Sequence, residues 1–435
     1  MKKLLTLIIL LCSVAPFMEV KGQNDSTLTV TLDQCIEMAL NNNQKAVAAR
    51  NNIESSVLLS KEAFTKYFPE IGGTTVAFWA NHNTLQYDLD ILGNKFPLGI
   101  IKNGYTAAIQ AMQPIFMGGR IANGNQLAHI GEEVARLREK QTQNELRVTT
   151  ETFYWKLVSL EATRGTLCSA VTMLDTLQYT VKAAVDAGIV NRNDLLKVEL
   201  KRNSYASDLV DLDNGIKLVK MLLGQYIGAG IDGNIEIVYN VPEEVPVFPM
   251  ELYMDSEDAV LLTPDYNLLN KNVEAKKLEK KIELGKNLPT VAFGAGWYFH
   301  NLLKQGHNFG ALQLGVAVPL SGWWGGSYSL KRKSIEVINA ENEKDDLTQK
   351  LQLQMQDKWN NLTSAYRKMQ IESEGIAQSK ENLRITRLYY EAGMNTIADL
   401  LEAETEYTQA QGRYIAAFGN FCTARGEYLV ATGRH

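Results

Sequence analysis

The chain of 435 residues has only 10 prolines, and the places where they are missing say most about it. After Pro16 they fall at Pro69, Pro97, Pro114, Pro242, Pro246, Pro249, Pro264, Pro289 and Pro319; none lies between Ile115 and Val241, and none after Leu320. Proline interrupts a helix, so these two stretches are free to form very long ones. A helix from Gly119 to Ala187 would extend roughly 100 Å at about 1.5 Å per residue, which points to a coiled coil or helical tube. Cysteine is scarce as well. Beyond Cys12 only Cys35, Cys168 and Cys422 remain, an odd number without metal-ligand spacing, which argues against a disulfide framework. The five histidines (His82, His129, His300, His307 and His435) show no ligand spacing, and no nucleophile, metal cluster or cofactor fingerprint accompanies them. Neither an enzyme nor a cofactor is expected. A strong excess of one charge is also missing: the net charge is −5 with both signs well mixed, against nucleic-acid binding. Past the N-terminal leader there is no long uncharged apolar run, so any passage through a membrane must be made by strands.

Residues 1–22 read as a secretory signal peptide, with Lys2 and Lys3 ahead of the apolar run Leu4–Val14. Leu11 precedes Cys12 where lipid attachment needs a small residue, so Cys12 is expected to leave with the leader. The remainder repeats itself. "DAGIVNRNDLLKVE" at Asp186–Glu199 returns as "EAGMNTIADLLEAE" at Glu391–Glu404, an offset of 205 (393 minus 188). Gly188 and Gly393 suit the left-handed position that ends a helix. Asn191 and Thr396 can cap the next helix, with Asp194 and Asp399 three residues on in capping-box positions. The motif is then a tight turn between two long antiparallel helices, present twice because the helical hairpin is present twice. Pro114 and Pro319 keep the same offset.

Heptad stepping supports the long helices. Phe153, Leu157, Leu160, Leu167, Val171, Leu174, Val181 and Val185 form one seam, broken only by Arg164 and Gln178. Trp359, Leu362, Tyr366, Met369, Ile376, Leu383 and Tyr390 form another, with Ser373, Lys380 and Arg387 as exceptions. Between the prolines the period changes to two. "TVAFGAGWYFHN" and "NFGALQLGVAVP" alternate large apolar residues with small or polar ones, and "GGTTVAFWAN" and "YTAAIQAMQP" repeat this less cleanly. Each is near the ~9–11 residues with which a tilted strand crosses a bilayer. A long loop around His82–Asn103 and a short one around Leu302–His307 are expected to close the two hairpins. "MGGRIANG" at Met117–Gly124 reads as glycine at a strand-to-helix bend, not as a phosphate loop.

The organisation is therefore a first structural repeat over 23–240 (hairpin near 70–114, helical turn near 188–194) and a Pro-rich linker over 241–255. A second repeat follows over 256–435, with its hairpin near 290–319 and its turn near 393–399. Four strands cannot close a barrel, and open edges in lipid leave backbone groups unsatisfied, so two or three copies must share one.

These features together resemble the TolC family of outer-membrane efflux and secretion ducts. The resemblance is carried by the opening "LTVTLDQCIEMALNNN", the two "G…DLL…E" turns, the two strand pairs and the closing "GRYIAAFGNFCTARGEYLVATG". Cys35 stands where such openings usually have Ala, and Asn43 where Pro is common. The resemblance implies an α+β membrane protein: a homotrimer with a twelve-strand β-barrel, four strands per chain, above a periplasmic α-barrel of antiparallel coiled-coil helices. It implies an outer-membrane location, and partners in a periplasmic adaptor protein and an inner-membrane transporter. In similar ducts acidic side chains at the second turn line the periplasmic constriction. Asp399 and Glu402, three apart on one helix face, and Tyr390, which matches a gate aromatic, are the candidates here. The family's locking arginine falls at Asn395. Both turns, with Gly188, Asp194, Leu195 and Leu196 in the first and Gly393, Leu400 and Leu401 in the second, are expected to dock the adaptor. An efflux duct, the exit duct of a protein-secretion system and, from another class, a secreted coiled-coil scaffold without a pore remain as readings.

Overall fold

The computed structural model describes residues 28–434 except 83, 92–93, 243, 302–305 and 321. The expected signal peptide, Cys12 and His435 lie outside the described residues, as does most of the expected short loop after His300.

The chain begins with strand β1 (Leu28–Val30), helix α1 (Leu32–Asn42) and helix α2 (Gln44–Thr65). Thr31 and Gln34 form a reciprocal capping box at the start of α1. Asn43, standing at the break between α1 and α2, serves both sides. Its side-chain oxygen accepts from the Lys45 N–H at 2.9 Å, and its amide donates to the Tyr226 carbonyl at 2.8 Å. Strands β2 (Glu70–Trp79), β3 (Leu85–Ile91), β4 (Asn94–Ile101) and β5 (Asn103–Met117) follow, then helices α3 (Arg120–Asp186) and α4 (Arg192–Ile227). After the short strand β6 (Ile235–Ile237) and the linker come α5 (Ser256–Val260), α6 (Pro264–Lys286), β7 (Thr290–His300), β8 (His307–Ala317), α7 (Gly322–Glu391) and α8 (Ile397–Ala431).

Helices α3 and α7 contain 67 and 70 residues, roughly 100 Å each at ~1.5 Å per residue. Their heptad seams face inward. Leu157, Leu174, Val181, Leu362 and Met369 are fully buried. The seam exceptions on α3 have partners on α4: Arg164 Nε donates to Asp213 at 2.5 Å, and the Gln178 amide donates to Glu199 at 3.2 Å. Polar residues can therefore interrupt the seam without leaving unpaired groups in it.

The sheet order is β2-β5-β7-β8, antiparallel throughout, so the two strand pairs join through β5 and β7 into one four-stranded sheet with β2 and β8 at its edges. Pro114, which cannot donate to a ladder, sits where the β5–β7 register shifts before Phe116, the place a central strand tolerates proline. The expected long loop around His82–Asn103 is corrected: it holds β3 and β4, paired antiparallel from Leu85↔Ile101 to Ile91↔Asn94. The alternation of Leu85, Tyr87, Leu89 and Ile91 with Gln86, Asp88 and Asp90 carried that signal. β1 and β6, a parallel pair, extend one of the cores rather than the main sheet.

At the strand-to-helix bend, Gly118 and Gly119 have φ of 64° and 75°. A Cβ on Gly118 would lie 2.2 Å from the Gly285 carbonyl oxygen at the end of α6, so the bend needs glycine for both conformation and contact. Three larger apolar clusters, with a small fourth around Val260 and Met355, are strung along the long helices rather than merged into one core. The first gathers β1, α1, α3, α4 and β6, the second fills the far tips of the two helical hairpins, and the third packs α7 and α8 under the linker around Trp359 and Phe248.

Candidate functional site at the paired helical turns

Both turns end their first helix in the same way. After α3 the Gly188 N–H donates to Val185 O at 2.9 Å and the Ile189 N–H to Ala184 O at 2.9 Å; after α7 the Gly393 N–H donates to Tyr390 O at 3.0 Å and the Met394 N–H to Tyr389 O at 2.8 Å. This paired closure needs a left-handed residue at the glycine, and φ is 73° at Gly188 and 74° at Gly393. No atom lies within 4 Å of a Cβ added at either, so the glycines answer to backbone conformation alone.

The second halves of the turns differ. Thr396 and Asp399 form a full capping box: the Asp399 N–H donates to Thr396 Oγ1 at 3.2 Å, and Asp399 Oδ2 accepts from the Thr396 N–H at 2.8 Å. Asp399 Oδ2 also accepts from the Thr396 hydroxyl at 2.8 Å. These bonds favour the ionised form and hold the Asp399 carboxyl below its ordinary value. In the first turn the expected side-chain cap is not formed. Asn191 makes no side-chain cap bond, the Asp194 N–H goes to the Asn191 carbonyl at 3.0 Å, and the Asp194 carboxylate takes Lys197 Nζ at 3.0 Å. Lys197 occupies the position of Glu402 in the repeat, and its charge engages the carboxylate that would otherwise turn back to the cap.

The fold brings the two turns together. Val185, Leu195 and Val198 from the first, and Tyr390, Ile397, Leu400 and Leu401 from the second, share one apolar cluster with Leu174, Val181, Tyr205 and Leu383. Leu400 and Leu401 are buried, so their side chains hold the tips to each other. Leu195 is half-buried and Leu196 exposed. Tyr390 is half-buried; burial, with Asp194 near it, raises its phenol above the ordinary value. Asp399 and Glu402 are both exposed on α8.

Sequence reading passed over two kinds of residue here. Ile189 and Met394, equivalent in the repeat, are large apolar side chains standing 79% and 67% exposed at the outermost point of each turn. Glu404, which looks like an ordinary polar member of "LLEAETEY", is buried at 6% exposure. Its spacing from Ile397, Leu400 and Leu401 puts it on the buried face of α8, whereas Glu402 lies off that face and is exposed. Among the described residues no helix is long and apolar enough to cross a membrane.

Most of the chain superposes on solved outer-membrane channels. VceC from Vibrio cholerae matches with a TM-score of 0.75 at 15% identity, covering 93% of this chain and 96% of that one. CmeC from Campylobacter jejuni matches at 0.75 and 13% identity over 92% and 85%. MtrE from Neisseria gonorrhoeae, in its open state, matches at 0.72 and 15% identity over 93% and 89%. At such identities the likeness is one of fold: four strands and two long helical hairpins in the arrangement of these channels. No protein-family model and no curated protein sequence matches the chain.

Proposed function

We propose that the chain is one protomer of a TolC-like outer-membrane duct, a homotrimer whose twelve strands close a barrel over a periplasmic helical tunnel, serving efflux of small molecules. The observation that carries this reading is the sheet. The register places Ile71, Ile109, Phe293, Trp297, Leu312 and Leu314 on one face and Thr74, Gln110, Tyr298 and Gln313 on the other. All six apolar residues of the first group stand exposed. β2 and β8 leave their outer edges unpaired within the chain. A single chain with an apolar face and two bare edges is not a finished object in lipid, because each unpaired backbone group there costs several kcal/mol. Joining β8 of one copy to β2 of the next removes the edges and turns the polar face inward. The solved channels named above share the fold that this requires.

In the assembled duct the exposed Asp399 and Glu402 become rings of carboxylates at the periplasmic end, attracting cations and repelling anions in a narrow throat. Tyr390 lies half-buried against the apolar cluster of the tips. The turns carrying Gly188, Asp194, Leu195 and Leu196, and Gly393, Leu400 and Leu401, form the end that meets a periplasmic adaptor and, through it, an inner-membrane transporter. Exposed Ile189, Leu196 and Met394 supply the apolar contacts, while Leu400 and Leu401 shape the tip from within. Charge reversal at Asp399 is expected to abolish efflux while assembly stays intact. The test of the whole reading is single-channel conductance of the purified protein in planar bilayers, with crosslinking to count subunits. A monomer that passes no ions would end it.

A further inference from the structure

Among the described residues, two buried side chains that leave a polar atom unpaired sit on helices that meet at the tip. Glu404 on α8 is 6% exposed and its Oε2 has no hydrogen-bond partner; Tyr205 on α4 is 5% exposed and its hydroxyl has none either. α4 and α8 touch. Tyr205 belongs to the apolar cluster of the tip, as do Leu400, Leu401 and Ala403 beside Glu404. A carboxylate with a buried oxygen left without a donor is disfavoured in such surroundings.

The internal repeat supplies a control. Glu199, at the position equivalent to Glu404, accepts from the Gln178 amide at 3.2 Å. The residue equivalent to Gln178 is Leu383, buried and apolar, so the donor that satisfies the first glutamate is absent for the second. Tyr205 corresponds to Ala410, which carries no hydroxyl. The second half thus carries a hydrocarbon where the first has the donor that pairs with its glutamate.

The charged and titratable surroundings of Glu404 are few. From α7 comes Arg387, exposed and close enough to attract the ionised form, and α7 also lends the half-buried Tyr390 to the tip cluster. α4, which packs against α8, carries Tyr205 of the tip cluster, with Lys201 Nζ 4.7 Å from the centre of its ring. α3 contributes Leu174 and Val181 to the cluster, and its Asp175 is ion-paired with Arg202 of α4. On α8 itself Glu402 and Glu406 are exposed, and Glu406 accepts from the Asn382 amide at 3.2 Å.

We propose that Glu404 is the moving part of a proton-linked latch between the two helical hairpins: protonated, it stays in the cluster and α8 is held against α4; ionised, it is drawn out towards Arg387 and the tip loosens. The latch sits about 8 Å along α8 from Asp399, at ~1.5 Å per residue, and it rests on the duct reading for its consequence, control of the throat. Burial, opposed by Arg387, raises the Glu404 carboxyl above its ordinary value. A carboxyl raised in the packed state favours packing at low pH, and that preference is lost as pH rises through the raised value. Asp399, held low by its cap, changes charge at lower pH, so the two transitions separate.

Two measurements on the full chain in detergent and in planar bilayers test this, each comparing the unaltered position with Glu404→Gln. Spin labels at Arg192→Cys and Ala398→Cys, with Cys168→Ser and Cys422→Ser, read the separation of α4 and α8 from pH 4.5 to 8. The separation is expected to widen with pH in the Glu404 protein and to stay narrow and flat in Glu404→Gln. Conductance is expected to rise severalfold over the same range and to remain low and flat in the variant. A separation that widens equally in both proteins, or in neither, overturns the latch. A Glu404-dependent separation without any conductance would leave the latch standing and defeat the duct.

Discussion

At the scale of single residues, the two turns show how one substitution redirects a local network. Thr396 and Asp399 satisfy each other's backbone, whereas Asp194 gives its carboxylate to Lys197. Thr396→Ala is expected to weaken the start of α8 by about 1 kcal/mol, the usual worth of such a cap, read as roughly fivefold faster amide exchange at Asp399. The Asp399 carboxyl lies below its ordinary value, so its contribution is present above the unfolded carboxyl's pKa and fades as pH falls through the lowered one. Amide exchange at the same position, compared with Asp399→Asn, checks that sign. Cysteine tells a similar story of surroundings. Cys35 is fully buried in the first cluster, and burial pushes its thiol up to about 11. Because the thiolate is the reactive form, iodoacetamide at pH 8 is expected to leave Cys35 unlabelled until the protein is denatured, as mass spectrometry of the peptides would show.

At the scale of elements, the long helices and the paired turns were legible because proline gaps, heptad seams and glycine positions all speak in local periods. Arg164 and Gln178 looked like flaws in a seam, and the structure gives each a partner on α4. The β3–β4 hairpin was missed for the opposite reason. Its alternation is present, but Pro97 and the flanking glycines and asparagines read as loop. The glycine pair at the bend was recognised only as a bend. That Gly118 also needs the absence of a side chain on Gly285, far along the chain, is a tertiary fact. Gly118→Ala is expected to separate the start of α3 from the end of α6 and lower the yield of folded protein. Gly188→Ala, with open space around it, should cost only about 1 kcal/mol of backbone strain. Thermal unfolding of the two variants in detergent makes the comparison.

At the scale of the whole molecule, the sheet's two faces predict opposite responses to the same charge. Leu312→Arg places a cation on the apolar face, where a barrel strand in lipid loses roughly 2–4 kcal/mol near the midplane. Gln313→Arg, its neighbour in sequence, points to the other face and is expected to be tolerated. Recovery of heat-stable oligomer in the outer-membrane fraction distinguishes them, and equal recovery would contradict the placement of the sheet in a membrane.

The sequence by itself determined the elements and their repetition, because helix length, strand alternation and turn closure depend on neighbours a few residues apart. Only the tertiary structure decided that the two strand pairs join through β5 and β7, that Leu400 and Leu401 pack against the tip of the other hairpin, and that Glu404 is buried without the partner its counterpart has. Those outcomes depend on which surfaces meet across two hundred residues. Periodicity marks which face of a helix turns inward, but which surface that face meets, and whether a buried polar group finds a partner there, are properties of the meeting itself.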